Sequence, residues 1–184
     1  LNTQQLTLTE NSQVSASNIS GESQDIILSG LENVELTDNS ELSASTQTGT
    51  AGSVRINSAE NPVESVSLRN SRLSVEATEE GGKAGGVTLN TQQLTLTENS
   101  QVSASNISGE SQDIILSGLE NVELTDNSEL SASTQTGTAG SVRINSAENP
   151  VESVSLRNSR LSVEATEAGG KAGGVTLNTQ QLTL

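Results

Sequence analysis

The sequence predicts an all-β chain wound as a right-handed parallel β-helix, with three strands per turn and about six turns. Three observations lead there. A corner of sequence Asn-Ser, set between two alternating segments, recurs at Asn11, Asn39, Asn70, Asn99, Asn127 and Asn158. Apolar and polar residues alternate before and after each corner, the period of a half-buried strand. The 184 residues include no Phe, Tyr, Trp, Met, Cys or His. A compact core of this length usually contains aromatics, so the core must be thin and built of many similar aliphatic layers.

The elements follow in order from the repeats. Residues 1–14 return at 89–102, and 177–184 open a third copy, a period of 88 residues. We read residues 1–184 as one β-helical segment with units 1–88 and 89–176 and the start of a third at 177–184. One substitution separates the two units: Glu80 is replaced by Ala168. Within a unit the corners are 28, 31 and 29 residues apart, counted from Asn11 to Asn39, Asn70 and Asn99. Asn tolerates the left-handed backbone that a sharp corner needs. A third short segment precedes each corner pair, at 25–28, 53–56 and 87–90. Gly-containing loops close the turns at 18–22, 46–52 and 78–86.

No single turn buries its own apolar side chains; stacked turns bury each other's. The inward set is Leu6, Leu8, Val14 and Ala16, then Ile26, Leu28, Val34, Leu36, Leu42 and Ala44, then Val54, Ile56, Val66, Leu68, Leu73 and Val75. The same set repeats 88 residues on. An up-and-down barrel is disfavoured because two-residue Asn-Gly or Asp-Gly hairpins are lacking. A helical solenoid is disfavoured because Thr, Ser and Val recur at period two.

Twenty-three acidic residues against 8 basic ones give a formal charge of -15. That charge opposes nucleic acid and anionic membranes as partners, and no aromatic side chain is present to stack on bases. No apolar run is long enough to span a bilayer, so no membrane insertion is expected. Without Cys there are no disulfides or thiolate metal sites. The chain starts at Leu1 and both ends fall inside a repeat, so it reads as part of a longer protein.

The Asn column reads as a structural ladder, each carboxamide bonding its neighbour one turn away. Charges flank it. Glu10, Asp38, Arg69, Glu98, Asp126 and Arg157 precede the Asn in successive turns, which places Arg69 between Asp38 and Glu98. Two residues after the Asn stand Glu41 and Arg72, then Glu129 and Arg160. These read as cross-turn ion pairs that discourage like-on-like stacking.

Gly81-Gly82-Lys83-Ala84-Gly85-Gly86 lacks the Ser or Thr and the following helix of a phosphate loop, and reads as a flexible connection. Glu79 and Glu80 beside it are a weak calcium candidate, reduced by Ala168 in the second unit. Asn18-Ile19-Ser20 and Asn106-Ile107-Ser108 fit the glycosylation acceptor pattern. A Ser-His-Asp set is excluded by the absence of His. Thr7 and Thr9 align with Glu35 and Thr37, then Ser67 and Arg69, so no unbroken Thr row forms. We expect no catalytic residue, cofactor or metal.

Two stretches carry a family resemblance: 6–17, Leu-Thr-Leu-Thr-Glu-Asn-Ser-Gln-Val-Ser-Ala-Ser, and 41–56, Glu-Leu-Ser-Ala-Ser-Thr-Gln-Thr-Gly-Thr-Ala-Gly-Ser-Val-Arg-Ile. Their order of strand, Asn-Ser corner, Ser-Ala-Ser strand and Gly-bearing loop resembles the repeat region of filamentous-haemagglutinin-like exoproteins, especially the cyanobacterial type. The resemblance implies two-partner secretion and a long right-handed rod, secreted or on the outer surface of a Gram-negative-type bacterium. Neither the family's export domain nor its secretion motif is present, and Asn61-Pro62-Val63-Glu64 is not that motif.

The expected role is therefore a structural or adhesive rod segment without catalysis, whose partner is an unidentified surface receptor or glycan. One alternative is a fragment of a carbohydrate-cutting β-helix enzyme, which needs one unrepeated place where acidic or basic groups converge. Another is a module stiffened by calcium at its acidic loops. Terminal turns with unpaired strands predict end-to-end self-association.

Overall fold

The computed structural model describes residues 3–184. Among them are eighteen strands, numbered in chain order, and no helix. One face stacks β1 (Gln5–Leu8), β4 (Asn33–Thr37), β7 (Val63–Arg69), β9 (Val87–Thr97), β12 (Asn121–Thr125), β15 (Val151–Arg157) and β18 (Thr179–Thr183). The second stacks β2 (Gln13–Asn18), β5 (Glu41–Thr46), β8 (Arg72–Ala77), β10 (Gln101–Asn106), β13 (Glu129–Thr134) and β16 (Arg160–Ala165). The third stacks β3 (Ile26–Leu28), β6 (Val54–Ile56), the start of β9, β11 (Ile114–Ser117), β14 (Val142–Ile144) and β17 (Val175–Leu177). Every ladder between these strands is parallel. The chain is a β-solenoid with three strands per turn and about six turns. At the usual ~4.8 Å between strands, six turns make a rod roughly 30 Å long.

Register explains why like residues repeat. Leu8, Leu36 and Leu68 align with Leu96, Leu124 and Leu156 in one file. Ala16, Ala44 and Val75 align with Ala104, Ala132 and Val163 in another. Side chains of similar volume stack at one depth, which fills the narrow interior without aromatics. From Leu28 to Val75 the expected core residues are all 2% exposed or less. Val14 and Ala16 are only partly buried, as are Leu156, Leu161 and Val163. They lie in outer turns, where one of the two covering layers is missing among the described residues.

The hydrogen-bonded faces pass through residue 88 without a break. Val66 of the first unit pairs with Leu94 of the second, and Leu94 with Val122. The β9 strand continues around the bend that separates two faces elsewhere, with Thr91 fully buried at its middle.

The bends and loops are more ordered than the sequence predicts. Residues 81–86 are not a flexible connection. Lys83 N donates to Gly49 O at 2.8 Å, Thr50 N to Gly21 O at 2.7 Å, and Ala84 N to Glu110 O at 3.0 Å. The loops therefore form a fourth stacked column. Glycine permits it: a Cβ at Gly49 would lie 2.0 Å from Gly21 O, and one at Gly137 would lie 2.1 Å from Gly109 O.

A second Asn column lines the bend between the third and first faces. Asn57, at φ 50°, accepts from Leu31 N at 3.1 Å and donates to Leu31 O at 2.8 Å and Asn61 O at 2.9 Å. Asn145 repeats the contacts to Leu119 N and O at 3.1 and 2.8 Å. Leu31 and Leu119 are thereby held inward at 3% exposure, two core residues absent from the alternation pattern.

Candidate functional site

The Asn-Ser corners gather the densest repeated polar chemistry on the rod. All six Asn residues adopt left-handed backbone, with φ between 48° and 65°. Corners come in two lengths. Five residues separate Leu36 from Leu42, but four separate Leu68 from Leu73. The longer corners carry a second left-handed residue before the Asn: Glu10, Asp38, Glu98 and Asp126, at φ 54–57°. Arg69 and Arg157 are not left-handed; they belong to the strands.

This shifts the predicted alignment. In register Arg69 faces Thr37 and Thr97, not Asp38 and Glu98. The acidic residues are the extra members of their corners, as in a bulge. The guanidinium nevertheless lies between both carboxylates, with Nη2 3.2 Å from Asp38 Oδ1 and Nη1 3.6 Å from Glu98 Oε2.

The other predicted pairs divide. Among the described residues Arg157 and Asp126 form no ion pair; the Asp126 carboxylate accepts from Thr125 Oγ1 at 3.1 Å. Arg157 has an acidic corner on one side only among the described residues, whereas Arg69 is held from two. Glu41 and Arg72 are neighbours in register but do not pair. Arg72 Nη2 runs along its own strand to Glu76 Oε1 at 2.5 Å, across the buried Ser74. The Glu41 carboxylate instead accepts from Gln13 Nε2 at 3.0 Å. Arg160 reaches both Glu129 at 3.5 Å and Glu164 at 2.9 Å. The arginine of each pair is about half exposed, so each pair contributes on the order of 0.2–1 kcal/mol.

The Asn ladder is discontinuous in its side chains. Asn70 Nδ2 donates to Asn39 Oδ1 at 3.1 Å, and Asn158 Nδ2 to Asn127 Oδ1 at 2.9 Å. Asn11 and Asn99 join only through backbone, Asn11 N to Asp38 O at 2.9 Å and Asn99 N to Asp126 O at 2.8 Å. The carboxamide bonds thus occur where a short corner follows a long one in the chain, at Asn39–Asn70 and Asn127–Asn158.

Each bonded corner opens onto a shallow groove of its own. Asn39, Ser40, Glu41, Asn70, Ser71 and Arg72 line the first, joined by Asn99 and Gln101. Asn127, Ser128, Glu129, Asn158, Ser159 and Arg160 line the second.

Other polar clusters were not anticipated. Arg55 Nε lies 3.1 Å from Asp25 Oδ2, and Arg143 repeats the pair with Asp113 at 3.1 Å. Asp25 Oδ1 also accepts from Ser53 N at 2.8 Å, and Asp113 Oδ1 from Ser141 N at 2.8 Å. The signal lay in aligning 25–28 with 53–56, which sets Arg55 opposite Ile27 and so two positions from the acid in the adjacent turn. Neither glycosylation pattern presents a free carboxamide. Asn106 is 5% exposed, donates to Ser111 Oγ at 2.5 Å and accepts from Thr134 Oγ1 at 2.7 Å. Asn18 makes the matching contacts to Ser23 and Thr46. Among the described residues no three acidic side chains converge as a metal site would require.

No protein-family model matches the chain, and no curated protein or solved structure matches it.

Proposed function

We propose that this chain is a rod segment of an exported, cell-surface protein, serving reach and attachment and carrying no catalytic centre. The observation that supports the reading is the common strand register of the two units. Parallel ladders cross from one unit to the next in the same register they hold within a unit, as Leu36 with Leu68, Leu68 with Leu96, and Leu96 with Leu124. Adding a unit lengthens the rod and changes nothing else.

Polar clusters come in pairs for the same reason. Asp25–Arg55 recurs as Asp113–Arg143, and the groove beside Asn39 recurs beside Asn127. An enzyme of this fold needs one place unlike the rest; an attachment surface works better with many equal ones. The negative charge favours solubility and opposes anionic surfaces. Export by two-partner secretion and end-to-end association belong to the same reading.

Antibody raised against residues 89–176 tests it on the intact source bacterium. The expected result is labelling of unbroken cells or of the culture fluid. Signal confined to lysed cells overturns the proposal.

A further inference from the structure

We infer that the two corner grooves are recurring, individually weak sites for a neutral, polyhydroxylated chain, that is, an uncharged glycan. The inference rests on the attachment reading above and assigns the surface that does the attaching.

The first argument is recurrence. The same six residue types line a groove in each unit, at Asn39–Asn70 and at Asn127–Asn158. Each groove sits beside a carboxamide-to-carboxamide bond. That bond uses one hydrogen of Asn70 and one lone pair of Asn39. Asn39 keeps both Nδ2 hydrogens, and Asn70 keeps its Oδ1.

The second argument is an unpaired hydroxyl in each groove. Ser40 and Ser128 are both 1% exposed, and their Oγ atoms have no hydrogen-bond partner among the described residues. The other serines of the column do not share this state. Ser71 Oγ donates to Arg69 O at 3.0 Å, Ser100 Oγ to Thr97 O at 2.6 Å, and Ser159 Oγ to Arg157 O at 3.0 Å. A buried hydroxyl without a partner is costly, and in a folded protein it calls for a compensating contact such as a bound water, ion or ligand.

The third argument is the chemistry of the lining. The Glu41 and Glu129 carboxylates accept, the Arg72 and Arg160 guanidiniums donate, and the carboxamides do both. A sugar diol has the complementary property, since every hydroxyl donates and accepts. A polyanion is opposed by the formal charge of -15. No aromatic residue is present to stack on a sugar face, so a single groove binds weakly. Repetition compensates: grooves with the same six residue types recur every three turns, roughly 14 Å along one face at ~4.8 Å per turn. A chain long enough to engage both gains avidity on the order of 100-fold without any new contact.

The test uses the 184-residue chain labelled with nitrogen-15, with glucose and linear neutral glucans of increasing length as probes. Because a diol is recognised rather than a particular sugar, this one series suffices. Expected are shifts in the side-chain amide signals of Asn39, Asn70, Asn127 and Asn158. Apparent affinity should rise about 100-fold from monomer to chains spanning both grooves. The double variant Glu41→Gln, Glu129→Gln should weaken binding about tenfold and lower the melting temperature only slightly, since the one ion pair it removes among the described residues, Arg160–Glu129, is a weak surface pair. Carboxamide signals unmoved by the longest glucan overturn the inference. So does an affinity unchanged in the double variant, or equally tight binding of a polygalacturonate of equal length. If the intact bacterium is still labelled in those cases, the rod reading stands and only the site falls.

Discussion

Asn158 Nδ2 donates to Asn127 Oδ1 at 2.9 Å across one turn, and both residues hold left-handed backbone, at φ 49° and 63°. The corner therefore depends on Asn twice, once for its tolerance of that backbone and once for its carboxamide. Asn127→Ala loses both, at about 2–3 kcal/mol for the strained backbone and the hydrogen bond together. Asn127→Gly keeps the backbone and should lose about 1 kcal/mol. Urea unfolding of the two variants checks the order; equal losses would show that the backbone conformation contributes nothing.

Arg69 and Arg157 have the same neighbours in sequence and different ones in space. Arg69 lies between Asp38 and Glu98, while Arg157 forms no ion pair among the described residues. Arg69→Glu places three acids together and should destabilise by about 1 kcal/mol at low ionic strength, less in high salt. Arg157→Glu should have a smaller effect. Paired melts at two salt concentrations measure it, and equal effects at both sites would contradict the geometry.

The loop column predicts a local signature. In Gly49→Ala the new methyl meets Gly21 O at 2.0 Å, so two stacked backbones must part, at a loss of about 3 kcal/mol. The amides of Thr50 and Lys83, bonded to Gly21 O and Gly49 O, should then exchange with solvent far faster. At Gly81, φ is 80° and a methyl added there would meet no described atom within 4 Å. Gly81→Ala should therefore lose only the ~1 kcal/mol of a left-handed residue and leave those amides protected.

Asn57 holds Leu31 by two hydrogen bonds and Asn61 by a third. Asn57→Ala strands the buried Leu31 N–H and C=O and should destabilise by about 2–4 kcal/mol. The Leu31 amide reports the event by hydrogen exchange. Retained protection there would mean that another group takes over the bonds.

The fold can be read from the sequence because its signal is redundant. Leu36 and Leu42 announce a strand, a corner and a strand, and Leu124 and Leu130 announce them again. The corner register is harder. Counting from Asn39 to Asn70 hides the missing residue, whereas counting from Leu36 to Leu42 against Leu68 to Leu73 reveals it. Asn57-Ser58 is the same dipeptide as the corners and its Asn is also left-handed, but no alternating segment follows it directly, so the repeat of corners does not pick it out. The choice of Glu76 over Glu41 by Arg72 is not legible at all. Both acids are in reach of a long side chain, and a competing bond from Gln13 to Glu41 favours the other. The groove hydroxyls of Ser40 and Ser128 are equally silent, since Ser71 and Ser100 occupy the same place in sequence and find partners.

The central claim is that 88 residues make three stacked turns and that every unit adds the same length of rod. Solution X-ray scattering on chains of two, four and six units measures this directly. The account predicts a constant cross-section and a length that grows by roughly 14 Å per unit, three turns at ~4.8 Å. A cross-section that widens as units are added, with length lagging behind, would contradict it.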